Sequence, residues 1–349
     1  MQQTPAQILD DLLSAIANLP PAQIVRAEAA LATARRRAEA VVEINTAGRA
    51  RGCPHCGSAQ RSSWGSTRAG AQRWWYKDCE RTWTGRTGSP LSRIHRPGLF
   101  IEVVRNMLDP DEEPLSCRRL GRRLNISRDT VWRWRMIVFE ELRTVIPSAM
   151  SGIIETDETY QRESRKGSHE WVRYQRDPSH PKTTPKPPRK RWYEYPKRRP
   201  PQAIARAWSA PILGVVDRTG RATFQHMKNT LQPTIEAKLV PQVAPDAMVL
   251  FDGAPQYEAI AKARGISYKV LVAGRRTKRM PKAYHLNSVN SLHSEWKRDF
   301  RGRWRGPATK YLDGYARWMV ARPDSDPLVF FRSIISLEMV KRVDRFLTE

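Results

Sequence analysis

A succession of short β-prone runs after residue 150 constrains the fold more than any other feature of the sequence. SGIIETDETY is the first run, and SAPILGVVDRTGRATFQHM follows as a hairpin with RTG as its turn. DAMVLFDGAPQY predicts a buried strand that ends at Asp-Gly, and ISYKVLV predicts another short strand. Helical patterns follow from about residue 287 and again after residue 306. Strands that give way to helices, two of them ending in acids, predict an α+β or α/β domain with its site at the strand ends.

The second constraint is charge. The 349 residues include 61 Lys and Arg against 35 Asp and Glu, a formal net charge of +26. Because so large a positive field repels itself unless a polyanion offsets it, nucleic acid is the expected partner, and a generally basic surface is the alternative. No run is apolar enough for a membrane span and no signal-peptide pattern is present, so we expect a cytoplasmic protein without a membrane partner.

Composition divides the chain into five segments, in keeping with the two or three domains that its length suggests and with an α+β protein of several domains. Residues 1–48 have helical periodicity that two prolines break into two helices, which we expect to pack on the rest of the chain; pairing with a second copy is the alternative. Residues 49–92 form a small module and residues 93–148 contain a helical pair. The strand-rich domain covers residues 149–322, and residues 323–349 form a C-terminal helical segment.

The small module has the cysteine layout of a zinc ribbon. Cys53 and Cys56 form one knuckle, and Cys79 belongs to a second knuckle in which Tyr76 stands where a CxxC pair would need cysteine. Three thiolates therefore remain for Zn²⁺, with His55 as an awkwardly placed fourth ligand. A ribbon-shaped β module that has lost its metal and relies on its tryptophans is the alternative.

Residues 114–145 predict a helix, a tight turn and a second helix. Ser127 suits the N-cap of the second helix, and Arg128, Arg133 and Arg135 are predicted to project away from the shared core. This is the pattern of a helix-turn-helix, whose second helix enters the DNA major groove. A helical hairpin without a DNA-binding role is the alternative.

Residues 162–206 are an insert rich in Pro, Lys and Arg, with KPPRKRWYEYPKRRPP at its centre. Proline at that density opposes regular helix or sheet, so we expect an extended basic arm. Its candidate DNA contacts are Arg189, Lys190, Arg191 and Trp192, the last by stacking on bases. A solvated linker is the alternative.

Two acids at the strands are candidates for chemistry on DNA. Asp157 lies within IIETDETY, and Asp252 ends the apolar run MVLF before Gly253, which lets the backbone turn sharply. Phosphoryl transfer on DNA requires divalent ions held by hard oxygen ligands, which carboxylates on adjacent strands can provide. Taken singly, Asp157 also fits a surface acid and Asp252 a turn residue.

The helix AYHLNSVNSLHSEWKRDF adds further candidates. Its predicted buried stripe consists of Val289, Leu292, Trp296 and Phe300. Asn290, His293 and Lys297 lie together along one edge of that stripe, whereas Glu295 projects to the solvated side, which argues against it as a metal ligand. The alternative is the polar flank of a surface helix.

Six features follow one another along the chain: the CPHC module, the helical pair, ETDETY, LGVVDRTGR, LFDGAPQY and HLNSVNSLHSEWKRDFRGRWRGPATKYLDGYARW. In this order they resemble a bacterial insertion-sequence transposase of the DDE superfamily. The resemblance covers about residues 50 to 322 and is to the ISXO-type group, whose third acidic position is often Asn. It implies a ribonuclease-H-like catalytic domain with Asp157 and Asp252 as metal ligands, Asn290 in the third position, and His293 and Lys297 as neighbouring site residues. It also selects Asp157 over Glu158, which strand alternation alone does not.

The resemblance implies a DNA transposase that binds the ends of its own element through the small module and the helix-turn-helix. We expect Mg²⁺ or Mn²⁺ as cofactor, and Zn²⁺ as well if the small module has kept its metal despite Tyr76. The expected partner is double-stranded DNA, bound by a homodimer or higher oligomer. The rival hypothesis is a DNA-binding regulator or architectural protein whose catalytic domain no longer cuts.

Overall fold

The computed structural model describes residues 4–144, 148–167, 179, 208–271, 283–322 and 326–336. The chain forms two compact units, one of residues 1–138 with 323–349 and one of residues 139–322. None of the helices within the described ranges is long and apolar enough to span a membrane. Each unit has a buried hydrophobic cluster of its own.

The first unit begins with helices α1 (Pro5–Ala17) and α2 (Pro21–Ala50). Thr4 caps α1 in a capping box with Gln7. The predicted break at the two prolines is confirmed, because α1 ends at Ala17 and α2 begins at Pro21. Proline is tolerated at the start of a helix, where its missing amide costs no hydrogen bond. The C-terminal half of α2 is buried at Ala40, Ile44 and Ala47, so this half of the helix packs into the unit.

A three-stranded antiparallel sheet follows, with strands β1 (Ser62–Ser66), β2 (Gln72–Tyr76) and β3 (Arg81–Trp83) in that order. Trp74 lies opposite Trp83 across β2 and β3. Tyr76, Trp83 and Cys53 form the buried cluster of this module. So few buried side chains give a small core, which a metal ion or a cross-link would reinforce.

Helices α3 (Pro97–Leu108), α4 (Cys117–Leu124) and α5 (Arg128–Thr144) complete the order of elements before the strand-rich unit. The predicted helix, tight turn and helix of residues 114–145 are present: Asn125 ends α4 in a left-handed conformation. The Ser127 hydroxyl accepts a hydrogen bond from the Thr130 amide at 3.0 Å and so caps α5.

One predicted DNA contact on α5 is wrong. Arg135 is only 4 % exposed, and its guanidinium donates hydrogen bonds to Asn106 Oδ1 at 3.1 Å and to the Leu115 carbonyl at 2.6 Å. Its position explains the burial, because Arg135 follows the buried Val131 by four residues and shares its face of the helix. Its charge therefore serves the helix packing of the first unit and not a DNA surface.

The second unit is built on a five-stranded sheet of β4 (Ile153–Arg162), β5 (Ser209–Asp217), β6 (Ala222–His226), β7 (Met248–Phe251) and β8 (Ser267–Val270). The strand order is β6-β5-β4-β7-β8. Antiparallel pairing joins β4 to β5 and β5 to β6, whereas β7 is parallel to both β4 and β8. The strands and the hairpin predicted after residue 150 are therefore confirmed.

Helices cover both faces of this sheet. They are α6 (Gln232–Leu239), α7 (Pro255–Arg264), α8 (Asn287–Arg301) and α9 (Leu312–Ala321). One core contains Ile154 of β4 with Ile235 of α6 and Ile260 of α7. The other contains Ile212 of β5 with Trp296 of α8 and Ala316 of α9. Since α8 carries the candidate residues of the last helix, its face of the sheet is the one that matters for the site.

The last helix of the described residues, α10 (Pro327–Ser336), belongs to the first unit. Phe331 is buried 6.0 Å from the ring of Phe100 on α3, and Arg332 pairs with Glu43 of α2 at 2.7 Å. The predicted C-terminal helical segment thus packs beside α2 and α3 and helps to close the core that they share.

Substituting Gly85 tests the close packing of α2. A Cβ at Gly85 would lie 1.8 Å from the Ile44 carbonyl oxygen, so Gly85→Ala forces the two backbones apart. We expect a loss of about 2 kcal/mol or more in the free energy of unfolding of the full chain, measured by urea denaturation. Gly65→Ala is the control, because Gly65 has φ +73° and nothing within 4 Å of its Cβ position, so it adds only backbone strain of about 1 kcal/mol. Equal losses in the two variants would contradict the packing argument.

Candidate active site

The parallel pairing of β4 with β7 brings the two candidate aspartates level. Glu155 lies opposite Leu250, and Asp157 and Asp252 are each two residues further along the same register. Neighbouring strands are about 4.8 Å apart, so the two backbones are adjacent at this height. Asp252 follows the last residue of β7, and its Oδ1 accepts the Ala254 amide at 3.2 Å.

Strand alternation places both aspartates on the face of the sheet that α8 covers. Ile154 of β4 and Phe251 of β7 lie in the core beneath α6 and α7. Side chains that alternate with these two along their own strands point to the other face. Glu155 and Asp157 of β4 therefore lie beneath α8, and Asp252, next to Phe251, points to the same side. Glu158 faces α7 instead.

Burial raises the pKa of two of the three acidic residues on β4, Asp157 and Glu158. Burial raises the pKa of Asp157 to about 6; a hydrogen bond from the Glu158 amide opposes this rise, and the neighbouring Asp252 carboxylate adds to it. Burial and the charge of Asp157 raise the pKa of Glu158 to about 7. Negative charge is thus crowded at this point of the sheet, and a cation there would lower its energy.

Helix α8 lies close over β5 at Gly214, the residue that pairs with Asp157. A Cβ at Gly214 would lie 3.0 Å from Val289 Cγ2 and 3.2 Å from His293 Nε2. Glycine thus leaves room for the helix to approach the sheet. The approach brings the His293 ring beside the strand, with His293 Nδ1 3.8 Å from Asp157 Oδ2.

His293 is buried more deeply than the sequence predicts, being 5 % exposed. Burial and the nearby Lys297 lower its pKa to about 4, so the imidazole is neutral near pH 7. Its Nε2 has no hydrogen-bond partner within the described part of the chain. Leu292 is correspondingly only partly buried, and His293 takes its place in the stripe facing the sheet.

Asn290 and Lys297 occupy one exposed edge of α8. Seven residues separate them, so they lie almost directly above one another. Leu292, on the opposite edge, packs into the core over β5 and β6, which leaves the edge with Asn290 and Lys297 on the side of β4. Lys297 is close enough to lower the pKa of Asp157. Glu295 is exposed and projects from another side, as predicted.

The donor set suits a hard divalent cation. Two carboxylates, Asp157 and Asp252, stand level on adjacent strands, and burial, with a further contribution from the Asp252 charge, raises the pKa of Asp157. Mg²⁺ and Mn²⁺ prefer such oxygen ligands. The carbonyl oxygen of Asn290 would add a ligand from the helix edge if the side chain turned toward the pair.

The predicted thiolate ligands of the first unit come together. One sulfur atom from each of Cys53, Cys56 and Cys79 lies within 4.8 Å of the other two, as a shared metal ion requires. Burial would raise the pKa of Cys53, but hydrogen bonds from the His55 and Cys56 amides bring it below its usual value. His55 thus contributes its backbone amide, 3.4 Å from Cys53 Sγ, and is exposed outside the cluster.

The remaining predicted DNA contacts have different positions. Arg128 and Arg133 are exposed on α5, and Arg128 pairs with the equally exposed Asp129 at 2.9 Å. Four predicted contacts of the basic insert lie outside the described residues: Arg189, Lys190, Arg191 and Trp192.

Sequence reasoning missed two residues beside the site. Glu155 of β4 is buried and bonds to the first turn of α8, and Arg218, which follows β5, pairs with it. For Glu155 the sequence contained a usable pattern, because Glu155 precedes Asp157 by two residues and so shares its face of the strand. A buried acid on that face requires partners.

Comparison with known proteins identifies the strand-rich unit. A family model described as an ISXO2-like transposase domain matches residues 149–324, which include Asp157, Asp252 and α8. No curated protein matches the chain. A crystal structure of a pre-cleavage Mos1 transpososome is similar at 12 % identity over 70 % of this chain and 76 % of that chain, with a TM-score of 0.27.

The matched segment is half of the chain, and it begins just before β4 and ends just after α9. Its mixed sheet, with helices on both faces, agrees with the ribonuclease-H-like fold that the resemblance implied. The chain therefore belongs to the ISXO2-like transposase family, within the DDE superfamily.

Proposed function

We propose that this protein catalyses metal-dependent DNA strand cleavage and strand transfer at the ends of its own insertion element, with Asp157, Asp252 and Asn290 as the metal ligands. The level placement of Asp157 and Asp252 on neighbouring parallel strands is the observation that carries the proposal. Family membership supports a transposase, and the acid pair supports an active one.

Bound Mg²⁺ or Mn²⁺ would activate the attacking oxygen and stabilise the leaving oxygen of the phosphoryl transfer. Asp157 and Asp252 supply two negative ligands, and Asn290 supplies a neutral one in place of a third carboxylate. With less negative charge, the ligand set binds its cations more weakly than three carboxylates would.

Two further residues of α8 prepare the site for DNA. Lys297 is exposed beside Asp157, where an ammonium group attracts a DNA phosphate. His293 stays neutral and buried next to Asp157, so it adds no positive charge that would compete with a cation. Its imidazole packs against the strand and limits how far the Asp157 carboxylate can move.

DNA binding by the first unit is the second part of the proposal. Arg128 and Arg133 are exposed on α5, the second helix of the helix-turn-helix, which suits the major groove. In the small module, Trp64 is 53 % exposed and stacks on Trp75 with their ring centroids 5.7 Å apart. Exposed aromatic rings on a basic module favour contact with nucleic acid. The net charge of +26 supports the same partner.

The small module is proposed to hold Zn²⁺ through Cys53, Cys56 and Cys79. Their sulfur atoms are close enough to share one ion, and the lowered pKa of Cys53 favours one thiolate. At Cys56, a hydrogen bond from Ser58 is outweighed by desolvation and the neighbouring thiols, which raise the pKa to about 11, so zinc must displace that proton. Tyr76 is fully buried at the place where a fourth cysteine would complete the set. Three protein ligands hold zinc more weakly than four, so we expect a modest affinity.

The first prediction from the proposed function concerns the metal ligands. Asp157→Asn and Asp252→Asn should each lower cleavage and joining by about a thousandfold or more, because each removes a charged ligand of the cations. Asn290→Glu should retain activity, because it restores a carboxylate at the third position. The assay uses purified protein on a labelled duplex carrying the element's own end, with Mg²⁺, Mn²⁺ or EDTA.

Asp246→Asn is the matched control for these variants, since Asp246 is an exposed acid before β7 and should keep full activity. Full activity in either site variant would exclude the assignment. Tight, specific DNA binding without cutting in either metal would favour the regulator hypothesis.

The second prediction concerns pH. Folding raises the pKa of Asp157 from 3.8 to about 6, so the folded metal-free protein binds more protons at this group than the unfolded chain between pH 4 and 6. Its stability therefore falls through that window as pH rises, and the penalty stays complete above about pH 6. Asp157→Asn removes the penalty and should raise Tm in EDTA at pH 8 but not near pH 4.

Glu158→Gln provides the comparison for that measurement. Its gain in Tm should develop over a higher window, because folding raises the pKa of Glu158 from 4.5 to about 7. The raised pKa of Asp157 also affects metal binding. Mn²⁺ affinity of the unmodified protein should increase from pH 5 to pH 7, because protons cease to compete with the ion for Asp157. A gain in Tm for Asp157→Asn that does not depend on pH would contradict the burial argument.

The third prediction concerns zinc. Tyr76→Cys should raise zinc affinity by about tenfold or more, because it completes a four-cysteine set. Tyr76→Ser leaves the same cavity without the sulfur and should show no such gain. Affinity is measured by competition with a chelator, and Co²⁺ absorption reports the number of thiolate ligands. Zinc affinity that is equal in the two variants would exclude residue 76 as a ligand position.

A further inference from the structure

We propose that Glu155 is a positioning residue of the active site. Its buried carboxylate fixes the first turn of α8 and thereby sets the position of Asn290 and His293 beside Asp157. The inference rests on the proposed function, in which these residues of α8 belong to the site.

Glu155 does for α8 what a capping residue does for other helices. The residue before α8 is Leu286, which makes no side-chain cap. Glu155 Oε2 accepts the Val289 amide at 3.0 Å, and Oε1 accepts the Ser288 hydroxyl at 2.9 Å. The first amides of a helix need acceptors and favour negative charge nearby. The cap of α8 therefore comes from a neighbouring strand.

Arg218 balances the charge of Glu155. The Glu155 side chain is 1 % exposed and forms an ion pair with Arg218, which also donates to the Ala283 carbonyl at 2.7 Å. Arg218 is itself held by a rigid turn, because Asp217 Oδ1 accepts the Thr219 amide at 2.9 Å and the Arg221 amide at 3.0 Å. The pair thus connects β4, the turn after β5 and the entry to α8.

The spacing along strand and helix explains why this contact matters for the site. From Glu155 to Asp157, β4 advances about 6.7 Å, and from Val289 to His293, α8 advances about 6 Å. Because Val289 is bonded to Glu155, His293 arrives level with Asp157, where their side chains are 3.8 Å apart. A shift of the first turn would displace every α8 residue from the carboxylates by the same amount.

Glu155 is not a catalytic residue itself. Both of its oxygens accept hydrogen bonds, and its side chain is sealed from solvent. A cation or a DNA phosphate has no access to it, so it acts through α8.

The test is Glu155→Gln, which keeps the size of the side chain and removes its charge. Hydrogen exchange of the α8 amides, Mn²⁺ affinity and the rate of cleavage at saturating DNA are measured together with Tm. We expect exchange at Val289 and Asn290 to accelerate at least about tenfold, and Mn²⁺ affinity and the cleavage rate to fall about tenfold. DNA affinity should stay unchanged, because Glu155 does not contact DNA.

Glu236→Gln is the matched control. Glu236 pairs with Arg264 at 2.5 Å between α6 and α7, so its loss removes a more exposed Glu–Arg ion pair on the other face of the sheet. We expect α8 exchange, Mn²⁺ affinity and cleavage to remain as in the unmodified protein. Ser288→Ala is the milder second variant if Glu155→Gln does not fold, with changes of about threefold in the same direction.

A folded Glu155→Gln protein with unchanged α8 exchange, Mn²⁺ affinity and cleavage would overturn the inference while leaving the proposed function intact. If the unmodified protein neither binds Mn²⁺ nor cuts DNA, the proposed function fails instead. The exchange of the α8 amides would then still decide whether Glu155 fixes the helix.

Discussion

The parallel pairing of β4 with β7 is the contact on which the rest of the site depends. It brings Asp157, in the middle of one strand, level with Asp252, at the end of another strand far away in the sequence. Register is decisive here, because a slip of one residue would turn Asp157 to the other face of the sheet and present Glu158 in its place. The buried side chains on both sides of β4 hold that register, since a slip of one residue would turn Glu155 and Asp157 into the apolar core that contains Ile154.

The site concentrates negative charge in a protein that is otherwise strongly basic. Burial and the proximity of Asp252 oppose the ionisation of Asp157, whereas Lys297 favours it. A cation between the carboxylates would compensate for both unfavourable effects, so the metal-free site is locally less stable than the same site with its cation. In the proposed site, the same arrangement of carboxylates would bind a small, highly charged ion, which would offset the unfavourable electrostatic energy of the metal-free site. His293 supports it without charge, because its low pKa keeps it neutral.

Much of the fold follows from local patterns, and the site follows only in part. The hairpin, the strand that ends at Asp252 and the cap at Ser127 depend on residues close in sequence, so alternation and turn chemistry predict them. Local patterns do not predict the environment of Arg135. Its charge suggested exposure, but it lies four residues after Val131 on the same face of α5 and is buried among other helices. Alternation likewise does not choose between Asp157 and Glu158, because helices cover both faces of the sheet. The choice depends on which face α8 occupies, and that is a property of the folded chain.

Glu155 and Asp157 show why one buried acid is structural and the next is available for chemistry. They share a strand and a face, two residues apart, and the same helix covers both. Glu155 is surrounded by donors from Arg218 and from the first turn of α8, which leave its carboxylate no capacity for an external cation. Asp157 instead accepts the amide of the next residue and lies 3.8 Å from a neutral imidazole, so most of its lone pairs have no strong donor within the described residues. Above about pH 6, a half-buried carboxylate in that condition is an anion without a compensating charge, so a cation beside it would lower its energy. In the proposed site, the neighbouring Asp252 would provide the second ligand for such a cation.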